Sequence, residues 1–138
     1  MHVSARVRNT ASSHEAAIAT DDASPRDLAI PAKAGGRGSS TNGGELLVLA
    51  LATCYCNDLH REATRLGIVL EEVEVEASAE FDGVGLAARD IRYRARIASS
   101  APADVVSALL DATDGVAEIH NTLRAGRDVI RRDWNRDD

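Results

Sequence analysis

Residues 42–67, NGGELLVLALATCYCNDLHREATRLG, constrain this chain more than any other stretch, because they combine the longest apolar run with both cysteines. Asn42 can cap a helix, and Glu45, three residues later, can reach back to the Asn42 amide, the reciprocal pairing of a capping box. Gly67 suits the position just past a helix end, and Arg61 and Arg65 place cations near the last carbonyls. The spacing therefore predicts one helix of roughly 24 residues, about 36 Å long. Leu46, Leu47, Leu49, Ala50, Leu51 and Ala52 are apolar nearly all round, and polar residues enter only from Asn57. The first half of the helix is thus expected to be buried on every side and the second half to reach a surface. A helix longer than a small core needs either spans the domain centrally or is partly covered by a second subunit.

Around this helix the pattern is that of strands. Val3, Ala5 and Val7 alternate with polar residues, and the alternation resumes around Ala16 and Ile18, which predicts an N-terminal hairpin. A turn is expected over residues 21–26, a short strand over 28–31, and a Gly- and Ser-rich loop over 34–44. After the helix, Val73, Val75, Ala77, Ala79 and Phe81 share one face while Glu72, Glu74, Glu76 and Glu80 share the other. Ile91, Tyr93, Ala95 and Ile97 then alternate with Arg92, Arg94 and Arg96, so a Glu-faced strand meets an Arg-faced one in a second hairpin. We read these charges as a solvated sheet face. A second helix is expected behind a Ser99 or Ser100 cap, then a short helical or turn-rich AEIHNTLRAG, a final strand over 128–134, and a frayed tail at 135–138. The order has no βαβ regularity, so the fold class is α+β with an antiparallel sheet.

With 138 residues, the chain is expected to form one domain, 1–138, able to bury a core without disulfides or metals. The net charge of −6 argues against nucleic acid and against an anionic membrane. The absence of a signal-like start or a run of membrane-spanning length predicts a soluble, cytoplasmic protein, in which two cysteines are free thiols.

Cys54 and Cys56 point about 200° apart on a helix and cannot pair without unwinding it. Cys54 lies three turns in, where the helix dipole has faded, and Asp58 shares its face, which opposes a thiolate unless Arg61 pairs with that carboxylate. An activating cation would then come from another segment, for which Lys33 and Arg37 in the Gly-rich loop are the candidates. Cys56 and His60, with His120 or His14, make a weak metal set without the ligand spacing of structural zinc, and the histidines are expected to face solvent. No metal and no cofactor is expected.

The segment STNGGELLVLALATCYCNDL resembles the OsmC/Ohr family, in which Thr-Asn-Pro-Glu opens a long central helix and a peroxidatic cysteine follows twelve residues after the Asn; Asn42 and Cys54 have that spacing. IHNTL at residues 119–123 resembles the family's CPxxNTL stretch. The resemblance implies an intertwined homodimer with a long buried central helix, and reduction of small organic hydroperoxides through a sulfenic acid that a second cysteine and a dithiol reductant clear. Here Ala117 and Glu118 stand where the resolving Cys and its Pro would be, and Gly43 and Gly44 where the motif has Pro-Glu. The implied site is Cys54 as nucleophile, Arg37 or Lys33 stabilising the thiolate and Glu45 orienting that cation, with an external thiol as resolver. The alternative is a non-catalytic dimer that binds a small apolar ligand in its interface pocket.

Overall fold

A computed structural model describes residues 1–134 and confirms an α+β chain with antiparallel sheets and three helices. The tail expected to fray lies outside the described residues. Two compact units result, Met1–Leu46 and a second from Leu47 onward, and helix α1 runs through the point where they meet in sequence.

In the N-terminal unit, β1 (Val3–Asn9) pairs antiparallel with β2 (His14–Thr20), Val3 opposite Thr20 and Asn9 opposite His14. Thr10 closes their turn: its amide donates to Ser13 O at 2.9 Å and its hydroxyl oxygen accepts from the Ser12 and Ser13 amides at 3.2 and 3.0 Å. The third strand, β3 (Arg26–Leu28), pairs with β2 but begins earlier than the sequence pattern suggests and stops where a strand was expected to start. After Leu28 the chain turns at once, with the Ile30 amide donating to Leu28 O at 2.9 Å. The Gly-rich loop is pinned by an Ala32–Ser39 bridge and by the Lys33 amide donating to Gly38 O at 2.9 Å.

Helix α1 spans Gly43–Leu66, as its end signals require. The Glu45 amide donates to Asn42 Oδ1 at 2.9 Å and the Asn42 amide to Glu45 Oε2 at 2.7 Å, so the capping box forms in full. At the other end Gly67 takes φ +70°, its amide donates to Thr64 O at 3.2 Å and the Ile68 amide to Ala63 O at 2.8 Å. That double closure is a Schellman motif, and a side chain at position 67 would strain it.

Within the single chain, burial along α1 falls on the half expected to reach a surface. The buried residues, Leu51, Tyr55, Asp58, Leu59, Glu62 and Ala63, form one face weighted to the second half, whereas Leu46 and Leu49 are 38 % and 59 % exposed. The reason is geometric: one chain supplies a hairpin and two short helices, enough to cover one face of a helix and not its whole girth.

The second unit's sheet is β4 (Glu72–Glu80) against β5 (Arg89–Ala98). Glu74 opposes Arg96 and Glu76 opposes Arg94, and both pairs form ion pairs, the first at 2.6 Å. The other face, Val73, Val75, Tyr93, Ala95 and Ile97, packs on Tyr55, Leu59 and Ala63 of α1 with Leu109 and Ala117. Pairing shifts between Ser78 and Glu80, so Phe81, expected on the inner face, falls beyond the strand and is 50 % exposed.

Helix α2 (Ala103–Val116) starts behind Pro102 with no side-chain cap, contrary to the expected serine. Ser99 is used one turn earlier, its hydroxyl donating to Val69 O at 2.6 Å and accepting from the Ala101 amide at 3.1 Å. A fully buried Ala117 joins α2 to α3 (Glu118–Ala125). The expected strand over 128–134 is not formed: Val129 and Ile130 are 98 % and 71 % exposed and no ladder includes them. A strand needs a partner edge, and no described residue supplies one.

Leu59 and Leu109 are both fully buried at the centre of this packing. Leu59→Ala is expected to lower the unfolding free energy by about 2–5 kcal/mol in urea titration, with little change in the slope.

Candidate active site around Cys54

One face of α1 carries Cys54, Asp58 and Arg61, spaced four and three residues apart and therefore stacked over successive turns. The Cys54 thiol donates to Asp58 Oδ2 at 3.3 Å. Arg61 Nη1 meets the other oxygen, Oδ1, at 2.9 Å, which realises the pairing the sequence allowed. The N-terminus of α3 adds Glu118, whose Oε2 is 3.9 Å from the sulfur and whose Oε1 is 3.6 Å from Arg61 Nη1. Two carboxylates thus touch one sulfur and share one guanidinium.

Asp58 is 3 % exposed and Glu62, one turn on, 6 % exposed. Glu62 is held by Arg65 at 2.7 Å and approached by Arg61 at 3.7 Å. Buried carboxylates on a helix face are tolerable only with such partners. Around Cys54 the balance of forces keeps the thiol protonated. Burial pushes its pKa up, the backbone amide of Ile119 partly offsets this, and the acceptor Asp58 and the charge of Glu118 add to the rise.

The residues proposed from sequence are distributed as follows. Cys54 is at the centre of this cluster. Glu45 is committed to the capping box, nine residues before Cys54. Lys33 and Arg37 are exposed in the loop of the N-terminal unit, and neither is in an ion pair among the described residues. The structure adds Arg61 and Glu118. Arg61 was readable only as a partner of Asp58, and Glu118 only as a replaced proline, since nothing local announces that the start of α3 meets α1.

Cys54, Asp58 and Glu118 also hold their ligand atoms within 4.8 Å of one another, a grouping that differs from the Cys56 and His60 set considered from sequence. His60 is exposed, and His120, expected at the surface, is 3 % exposed. Its ring lies edge-on to Tyr93 at 4.3 Å between centroids and 5.4 Å from Tyr55, and neither ring nitrogen has a hydrogen-bond partner among the described residues. Tyr55 in turn donates to Leu110 O at 3.0 Å, and burial raises its phenol pKa to about 12. Beside this cluster opens a pocket of about 220 Å³ lined by Leu51, Ile91, Tyr93, His120, Leu123 and Arg124. Leu51 lies one turn before Cys54, and Arg124 is anchored by Asp114 at 2.7 Å. Its wall is mainly apolar, suited to a small organic body.

Burial, and then the Arg124 charge, hold the His120 pKa below its ordinary value of 6.5, with Asp114 and Asp58 working the other way. The folded state therefore binds this proton less readily than the unfolded chain. The stability tied to neutral His120 is intact above about pH 6.5 and is lost as pH falls through the lowered folded value. His120→Phe is expected to flatten the drop in melting temperature between about pH 7 and about pH 5 that wild type shows.

Residues 36–130 match the family model described as OsmC-like protein. The fold is similar to that of an organic hydroperoxide resistance protein OsmC from Legionella pneumophila, at 21 % identity and TM-score 0.59 over 90 % of each chain. An OsmC-like protein from Mycoplasma pneumoniae shares 18 % identity at TM-score 0.60, over 89 % of this chain and 86 % of that one. An OsmC-like hydroperoxide resistance protein from Jannaschia sp. CCS1 gives 18 % and 0.55, over 86 % and 80 %. No match was found among curated proteins. With its family match over more than half its length, the chain belongs to the OsmC-like family.

Proposed function

We propose that this OsmC-like protein is a thiol-dependent reductase of small organic hydroperoxides, in which Cys54 becomes a sulfenic acid that an external thiol or dithiol resolves. The observation that carries this reading is the surrounding of Cys54: a partly accessible thiol at the family's motif position, set between a proton acceptor, a guanidinium and the Ile119 amide. The hydroperoxide resistance named for the Legionella and Jannaschia proteins supports the same substrate class. The apolar pocket of about 220 Å³ beginning one turn before Cys54 suits the organic part of such a substrate. A one-cysteine cycle follows from the buried Ala117 at the position of a resolving thiol, and from Cys56 being two residues along the same helix, turned away from Cys54.

A second reading is favoured by the thiol's raised pKa: a non-catalytic family member whose pocket binds a small apolar ligand. Thiolate is the nucleophile in peroxide reduction, and each unit of upward shift makes it about tenfold scarcer at neutral pH.

The two readings separate by intact mass after stoichiometric organic hydroperoxide is added to the reduced protein. The peroxidase gains one oxygen rapidly in wild type and Cys56→Ser and not in Cys54→Ser. Oxidation no faster than that of a free thiol in solution leaves the binding reading.

The same proposal includes a homodimer. Leu46 and Leu49 on the first half of α1 are exposed, which is where a second subunit's helix would bury them. Light scattering is expected to give twice the chain mass for wild type and a shift toward monomer for Leu49→Glu. A monomeric wild type would refute the dimer. We place the protein in the cytoplasm, on the strength of a chemistry that consumes reducing equivalents; no helix among the described residues is long and apolar enough to cross a membrane.

A further inference from the structure

Attack of sulfur on a hydroperoxide presents two proton problems at once. The thiol must lose a proton, and the departing oxygen leaves as an alkoxide, a strong base that must gain one. A single group able to accept the first and donate the second solves both.

Building on the peroxidase reading, we propose that Asp58 is that acid–base residue: it takes the Cys54 proton as sulfur attacks and delivers it to the departing oxygen. Asp58 divides its two oxygens between two tasks. Oδ2 accepts from the Cys54 sulfur at 3.3 Å, and Oδ1 is fixed by Arg61 at 2.9 Å, so the oxygen left for proton transfer is the one aimed at sulfur. Glu118 makes the same division more loosely, at 3.9 Å from sulfur and 3.6 Å from Arg61. Shelter decides between them: the Asp58 side chain is 5 % exposed and that of Glu118 is 68 % exposed. A proton on Asp58 is therefore kept for the substrate, while one on Glu118 exchanges with water. Arg61 touches no reacting atom and is a positioning residue.

The step balances. Cys54–SH and ROOH give Cys54–SOH and ROH. The sulfur bonds to the terminal peroxide oxygen, which keeps its own hydrogen, and the O–O bond breaks. Sulfur loses two electrons and the peroxide gains them. The thiol proton passes through Asp58 Oδ2 to RO⁻, and Asp58 ends ionised as it began.

The arrangement also explains why a carboxylate that opposes thiolate formation sits beside a nucleophilic thiol. A reagent whose leaving group needs no proton should find Asp58 a hindrance, and a hydroperoxide should find it a help. The test uses the full chain in a Cys56→Ser background, with cumene hydroperoxide and iodoacetamide as the two electrophiles. Asp58→Asn is expected to speed alkylation of Cys54, because the negative charge opposing the thiolate is gone, and to slow its oxidation about a hundredfold. Oxidation that rises in step with alkylation makes Asp58 a brake on the thiolate alone and overturns the proposal.

A second measurement needs no variant at Asp58. Its charged and titratable neighbours are Arg61 on α1 and Glu118 and His120 on α3. Below the thiol pKa, alkylation of the parent protein should fall about tenfold per pH unit with the thiolate fraction. Oxidation, which takes the thiol proton through a carboxylate as sulfur attacks, should not share that slope over the same pH range. Parallel slopes overturn the proposal. A parent protein no faster than a free thiol toward cumene hydroperoxide overturns the peroxidase reading and this role together; fast oxidation that Asp58→Asn leaves unchanged overturns the role alone.

Discussion

The ion pair between Asp58 and Arg61 is the interaction on which the site depends. Burying a carboxylate this deeply without a partner would cost several kcal/mol. Arg61, one turn away at 2.9 Å, supplies that partner and leaves the other Asp58 oxygen 3.3 Å from the thiol. The next residue, Leu59, is fully buried in the core, so the packing that fixes α1 also fixes the site. Core and chemistry are adjacent residues on one helix.

The second contribution comes from the junction of α2 and α3. Ala117 is fully buried in the cluster that includes Tyr55 and Leu109, and this anchors the first turn of α3 against α1. Glu118 and the Ile119 amide are carried to the sulfur by that anchor, one adding negative charge and the other a hydrogen bond. They pull the thiol in opposite directions, and burial decides the outcome in favour of the protonated form. A position that holds a resolving cysteine in the family pattern serves here as a packing residue.

Much of the fold was legible because its signals are local. The capping box at Asn42 and Glu45, the glycine end at Gly67 and the Glu-to-Arg hairpin each involve residues within a few positions or a regular alternation, and all three appear as read. The misread features depend on distant partners. The alternation that points Phe81 inward ends at the shift between Ser78 and Glu80, and the Ser99 hydroxyl, a local candidate for a helix cap, is claimed by Val69 thirty residues away. The segment 128–134 has strand-like residues and no edge to pair with among those described.

The site divides along the same line. Helix phase alone puts Cys54, Asp58 and Arg61 on one face, because residues four and seven apart lie on one side, and the helix motif from Asn42 to Cys54 carries a resemblance that the family match over residues 36–130 bears out. Packing between distant elements is what brings Glu118 and the Ile119 amide to the sulfur, sets His120 between two tyrosines, and makes the second half of α1 the one that a single chain buries. Those outcomes depend on how far-separated helices and strands pack. No residue's own preferences encode them, since glutamate, histidine and leucine are each at home on a surface until a neighbouring element covers them.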